Sequence, residues 1–183
     1  MHPAAFNAAP VIETARLRLR GHGYGDLREC AAMWSDPLVT RFIGGKPSTL
    51  TQTWARLQAY TGHWAMLGFG YWLFELKDSA QFVGEGGFAD FKREIAPSMQ
   101  SDPELGFALA SRFHGKGYAT EAVSAILSWG DRHLPSERTV CLINPENAAS
   151  QRVVEKCGYA RFETGVFAEK PVLFLERLSS RRQ

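Results

Sequence analysis

Cysteine is scarce in this sequence. Cys30, Cys141 and Cys157 are odd in number and show no Cys-x-x-Cys spacing, so neither a disulfide framework nor a zinc site is implied, and the thiols are expected to be reduced and structural. Charge of one sign is not in excess either. A net +2 gives no strong argument for a nucleic-acid or membrane surface, although a small basic patch for an anionic ligand is compatible with it. Long apolar runs are missing: the stretch from Trp64 to Phe74 is short and broken by glycines, and Met-His-Pro-Ala-Ala-Phe has no basic region ahead of an apolar core. A cytoplasmic location is the expectation. Several catalytic signatures are absent as well. The histidines show no His-Glu-x-x-His spacing, and there is no Gly-x-Ser-x-Gly elbow, which leaves metalloprotease and serine-hydrolase readings without support. No Gly-x-Gly-x-x-Gly occurs, and Gly44-Gly-Lys-Pro-Ser48 lacks the leading glycine of a P-loop and has proline after its lysine. No repeat, linker or low-complexity tract divides the chain. Its 183 residues, 45% hydrophobic, predict a single domain over 1–183 with a loose start to about residue 10 and a frayed tail over 179–183.

What is present begins with Arg112-Phe-His-Gly-Lys-Gly-Tyr-Ala119, which has the pattern Gln/Arg-x-x-Gly-x-Gly/Ala. Two glycines let the backbone approach an oxyanion, free N–H groups sit where a helix begins, and Arg112 and Lys116 add positive charge. The apolar residues that follow, Ala119, Ala122, Val123, Ile126, Leu127, Gly130 and Leu134, recur at steps of three and four and predict one buried helical face. Upstream, Glu104 to Leu109 alternates, with Leu105, Phe107 and Leu109 on one side of a strand and Glu104, Gly106 and Ala108 on the other. The unit is strand, glycine-rich turn, helix. An ordinary glycine-assisted turn is the plain alternative.

A second segment, Asn144-Pro-Glu-Asn-Ala-Ala-Ser-Gln-Arg-Val-Val-Glu-Lys-Cys-Gly-Tyr159, follows the apolar run Val140 to Ile143 and reads as strand, cap, short helix and glycine stop. Asn144 or Asn147 caps it, and Val153, Val154 and Cys157 give it a buried side. Together the two segments resemble the GNAT superfamily of N-acetyltransferases, in particular the branch that acetylates N-termini of ribosomal proteins. The specific part of the resemblance runs from about Pro103 to Tyr159, and the rest agrees in element order.

That resemblance implies an α/β fold with a mixed, mostly antiparallel sheet, splayed between its fourth and fifth strands, with flanking helices. It implies acetyl-coenzyme A as co-substrate, no metal, and a primary amine as acceptor, either a protein N-terminus or a small molecule. The pantetheine arm would pair with main-chain groups at Phe107, Ala108 and Leu109. The diphosphate would be held by the stretch Arg112, His114, Gly115, Lys116, Gly117, Tyr118 and Ala119, chiefly through N–H groups from about His114 onward, with Asn147 touching the arm from across the gap. Many relatives carry a tyrosine seven residues after this asparagine to protonate the coenzyme thiolate. Here that position is Val154, while Ser150, three after Asn147, matches the ribosomal branch and is expected to hydrogen-bond the sulfur or relay through water.

An amine must lose a proton to form an amide, so a carboxylate is needed as base. Glu104, on the small-residue side of its strand, is the first candidate, with a salt-bridged strand-end carboxylate as the plain alternative; Glu85 and Glu169 rank lower. His114 is expected to serve through its main chain. A non-catalytic acyl-coenzyme A-binding module is the competing function. Exposed terminal strands in the family often pair between subunits, which keeps a homodimer open.

Elsewhere, Thr14 to Arg20 predicts a half-exposed strand near a sheet edge, and 26–35 a helix ended by Asp36-Pro37. A connector from Phe42 to Pro47 precedes a helix over 50–66, capped by Ser48 or Thr49, with Trp54, Leu57, Tyr60 or Thr61, and Trp64 as its core stripe. Tyr71 to Lys77 and Gln81 to Phe88 predict a hairpin, and Arg161 to Phe167 with Val172 to Leu178 a terminal pair. The aperiodic stretch from Lys92 to Asp102 predicts a mobile loop that bears on specificity.

Overall fold

A computed structural model describes residues 8–97, 99 and 102–179. Along the chain come β1 (Ile12–Glu13), β2 (Leu17–Arg20), α1 (Leu27–Trp34), α2 (Pro37–Thr40), α3 (Leu50–Leu67), β3 (Tyr71–Leu76), β4 (Phe82–Ala89) and β5 (Glu104–Leu109). Then follow α4 (Tyr118–His133), β6 (Arg138–Ile143), α5 (Ala148–Lys156), β7 (Ala160–Phe167) and β8 (Lys170–Leu178). The strands form one sheet in the order β1-β2-β3-β4-β5-β6-β8-β7, and every pairing is antiparallel except β5 with β6. Without the two-residue β1, β5 and β6 are the fourth and fifth strands. They are registered at a single pair, Glu104 with Val140, and diverge beyond it. This is the splay that the family resemblance implies.

Facing residues of an antiparallel pair project to the same side. The Glu85–Ala108 and Gly87–Gly106 pairs, with Tyr71 opposite Gly87, therefore put Tyr71, Glu85, Gly106 and Ala108 on one face, and the Ala89–Glu104 pair adds Glu104. Trp34, Arg56 and Tyr60 from α1 and α3 meet these residues there. On the opposite face α4 buries Ala122, Val123, Ile126, Leu127, Trp129 and Gly130. The expected apolar stripe thus holds, although Ala119 is only half-buried and Trp129 joins it. The alternation in β2 leaves Leu17 and Leu19 fully buried, which is worth about 1.5–3 kcal/mol for each side chain.

Several local expectations need revision. Asp36-Pro37 ends α1 but also starts α2, because the Asp36 carboxylate accepts from the Leu38 N–H at 2.8 Å and proline suits the first helical position. In α3 the cap is Thr49, reciprocated by Gln52, and the buried stripe is Thr53, Leu57, Tyr60 and Trp64. Trp54 sits one position off it and meets Tyr24 edge-on at 5.8 Å. The 92–102 stretch is tied down at several described residues: Arg93 pairs with Glu104, Asp102 pairs with Arg138, and Met99 is buried. Ser179 is buried, and its N–H donates to the Glu137 carbonyl at 2.7 Å, so the expected fraying does not begin there; positions 180–183, like 1–7, lie outside the described residues.

Candidate active site

The turn between β5 and α4 is built for an anion. Gly115 and Gly117 have φ of +74° and +81°, in the left-handed region that side chains resist, so their identity is set by backbone conformation rather than by crowding. The His114 N–H is taken by the Ser111 carbonyl at 3.0 Å. From Gly115 to Thr120 no N–H finds an acceptor among the described residues, and the start of α4 adds its dipole. The free amides therefore begin one residue later than expected.

The basic side chains of the motif do something other than line this site. Arg112 donates to the Phe82 carbonyl at 3.2 Å and lies 3.6 Å from Glu29, while the Lys116 ammonium sits over the Phe113 ring at 5.5 Å and the Lys116 main-chain carbonyl accepts from Arg16 at 3.0 Å. Arg16, far outside the motif in sequence, braces the turn. It stacks on the Tyr118 ring at 4.3 Å and pairs with Glu121 at 2.6 Å, and Glu121 also accepts from the Thr14 hydroxyl at 2.6 Å and the Arg16 N–H at 2.8 Å.

Beside the turn lies a cavity of about 440 Å³, walled by Phe107, Ala108 and Leu109, by His114, Gly115, Gly117, Tyr118 and Ala119, and by Asn147 and Ser150. The His114 ring is hydrogen-bonded to the Leu109 carbonyl at 2.8 Å, which fixes it at the rim. Arg152 and Lys156 of α5 supply positive charge to this wall. Their four-residue spacing, which puts them on one helical face, is the signal in the sequence that could have found them.

A second cavity of about 640 Å³ opens on the Glu85 face and meets the first along Phe42, Ile43, Phe107, Ala108, Asn147 and Ser150. Asn147 caps α5 by accepting the Ser150 N–H at 3.1 Å, which fixes the Asn147 side chain and the Ser150 main chain where the two spaces join. Val154 is fully buried in the core and has no access to either.

Glu104 lines the second cavity in a two-pronged ion pair with Arg93, at 2.7 and 2.9 Å. Arg93 is itself sandwiched between the Phe91 and Phe167 rings at 4.7 and 4.5 Å. Glu85 lines the same cavity, fully buried, and accepts from Trp34 Nε1 at 2.8 Å with His22 Nε2 at 3.3 Å. Burial pushes its carboxyl up, but hydrogen bonds from His22, Trp34 and Tyr60 outweigh that and hold it below the ordinary glutamate range. Cys30 lies close enough that its sulfur and the ligand atoms of His22 and Glu85 fall within 4.8 Å of one another, but burial raises its thiol far above the usual range, so it stays a thiol. Glu169, in the β7–β8 turn, does not line the cavity.

A donor-rich turn at a helix start, opening into a cleft between diverging parallel strands and from there into an acidic, aromatic chamber, defines a transferase that draws its group from a phosphate-bearing carrier. The acetyltransferase (GNAT) domain family matches residues 16–160. The protein YkkB of Bacillus subtilis is 31% identical over 94% of this chain and 98% of its own. The N-acetyltransferase YoaA of the same organism is 25% identical over 83% and 84%. The structure of a GNAT-family acetyltransferase from Bordetella pertussis superposes with a TM-score of 0.81 at 31% identity, covering 92% of this chain and 99% of that one. The chain belongs to the GNAT family and is an acetyl-coenzyme A-dependent acetyltransferase.

Proposed function

We propose that the protein transfers acetyl from acetyl-coenzyme A to a primary amine, on a protein N-terminus or a small molecule, by direct attack within a ternary complex. The observation that carries this reading is the junction of the two cavities at Phe107, Ala108, Asn147 and Ser150, which lets a thioester reached from one side be attacked from the other. The diphosphate is held by the amides from Gly115 to Ala119, with Arg152 and Lys156 nearby, and the arm lies in the cleft between β5 and β6. Glu104 accepts the proton that the amine must lose, directly or through water, its two-pronged contact with Arg93 holding the carboxylate in place in the cavity wall. Ser150 hydrogen-bonds the departing sulfur. Its hydroxyl is too weak an acid to do more. The reaction needs no metal. The β7 edge, where Phe162 and Val166 are exposed, is the surface we assign to pairing between two copies, and the reduced state of the thiols suits the cytoplasm.

The test is release of free coenzyme A thiol when a panel of peptide and small-molecule amines is added to protein and acetyl-coenzyme A. Amine-dependent release is the expected result. Binding of the carrier with no release from any amine makes the chain an acyl-coenzyme A-binding module instead.

A further inference from the structure

We propose that the phenol of Tyr71 is a catalytic group, donating a hydrogen bond to the carbonyl oxygen of the bound thioester as the amine attacks. This rests on the transferase reading and adds a residue that the motifs did not reveal. The anion-binding turn follows the C-terminal end of β5, so a carrier held there runs its arm back along β5 toward the point where β5 and β6 close, at Glu104 and Val140. Gly106 is two residues from that closure. A Cβ added at Gly106 would land on Tyr71 Oη, with the ring carbon Cζ 3.2 Å away, so the phenol lies directly over the β5 backbone and does so only because position 106 has no side chain.

The ring is held in place. Tyr60 stacks on it at 4.2 Å with an 8° tilt between planes, and Trp64 Nε1 ties the Tyr71 carbonyl at 3.0 Å. Its hydroxyl, in contrast, forms no hydrogen bond among the described residues, although it stands in a cavity wall with Glu85 and Glu104. Buried polar groups are normally paired, and one left open toward a cavity meets water or a substrate atom. Burial, and then the charges of Glu104 and Glu85, raise the phenol well above its ordinary range, so it remains a neutral donor. Arg93 and Arg56 face it too and pull the other way, without reversing the sign. Such a donor, fixed before the reaction begins, stabilises negative charge gathering on the carbonyl oxygen without giving up its proton. The N–C bond forms and the C–S bond breaks as before, and the proton lost by nitrogen leaves through the base.

Tyr71→Phe is expected to lower kcat by about 10²-fold while coenzyme A affinity changes by less than about 2-fold. Infrared difference spectra of protein with carbonyl-labelled acetyl-coenzyme A, with no amine present, should show the thioester band at lower frequency in the parent than in Tyr71→Phe. Placement is tested separately by melting. Gly106→Ala should destabilise the parent, and should do so less in the Tyr71→Phe background, where the clashing oxygen is gone. Unchanged turnover in Tyr71→Phe, or one band position in both proteins, overturns the proposal. A parent protein that releases no thiol with any amine overturns the transferase reading instead, and the infrared comparison then decides the hydrogen bond alone.

Discussion

Glu104 and Glu85 share a cavity wall but are held differently, and that difference sets what each can do. Glu104 is a strand-end carboxylate clamped by one guanidinium, whereas Glu85 is sealed mid-strand by an indole and an imidazole. Glu104→Gln keeps the shape but removes the proton acceptor, so kcat should fall by about 10²-fold or more while coenzyme A affinity is retained; full activity in steady-state assays would return the base to water or to Glu85. At Glu121 the issue is stability. Burial raises its carboxyl, yet hydrogen bonds from Thr14 and Arg16 pull it below its ordinary range, so it stabilises the fold above the unfolded glutamate value and that contribution disappears as pH falls through the lower folded value. Glu121→Gln should therefore cost about 1–2 kcal/mol near neutral pH, less than the bond count implies because Arg16 is half-exposed, and in urea melts the gap to the parent should narrow as pH falls from the unfolded glutamate value through the lower folded one.

Among the elements, those whose code is local were open to reading. The β5–turn–α4 unit, the Asn147 cap and the hairpin of β3 and β4 each rest on residues close in sequence. What could not be read depends on partners far away: that Arg112 turns toward Phe82 and Glu29, that Arg16 reaches the turn 100 residues on, or that Tyr71 overlies Gly106. Spacing carries no information about which way a long side chain leaves its strand once tertiary contacts compete for it. The short α2 is a different case, since Asp36-Pro37 is visible in the sequence but serves equally well as the stop of α1 and the start of α2. Gly117→Val, forced to φ near +81°, should distort the turn and weaken coenzyme A binding by about 10-fold or more in calorimetry, because a β-branched residue resists that region most. Asp36→Ala should lose α2's cap, at about 1 kcal/mol in thermal melts.

For the whole molecule, the single Glu104–Val140 pair has a mechanical meaning. Five strands on one side and three on the other are separate plates riveted at one point, and in the proposed function the channel between them takes the carrier. An arm lodged in that channel supplies the rungs the polypeptide lacks, so the loaded protein is one continuous plate made partly of cargo. Coenzyme A at about 100 times its Kd should accordingly add about 2.7 kcal/mol to unfolding. The slowing of amide exchange should concentrate on the facing edges, at Phe107 to Leu109 and Leu142 to Ile143, and not spread evenly through the sheet. The substrate is thus the mortar of the wall it is consumed in, and each round of release reopens the seam.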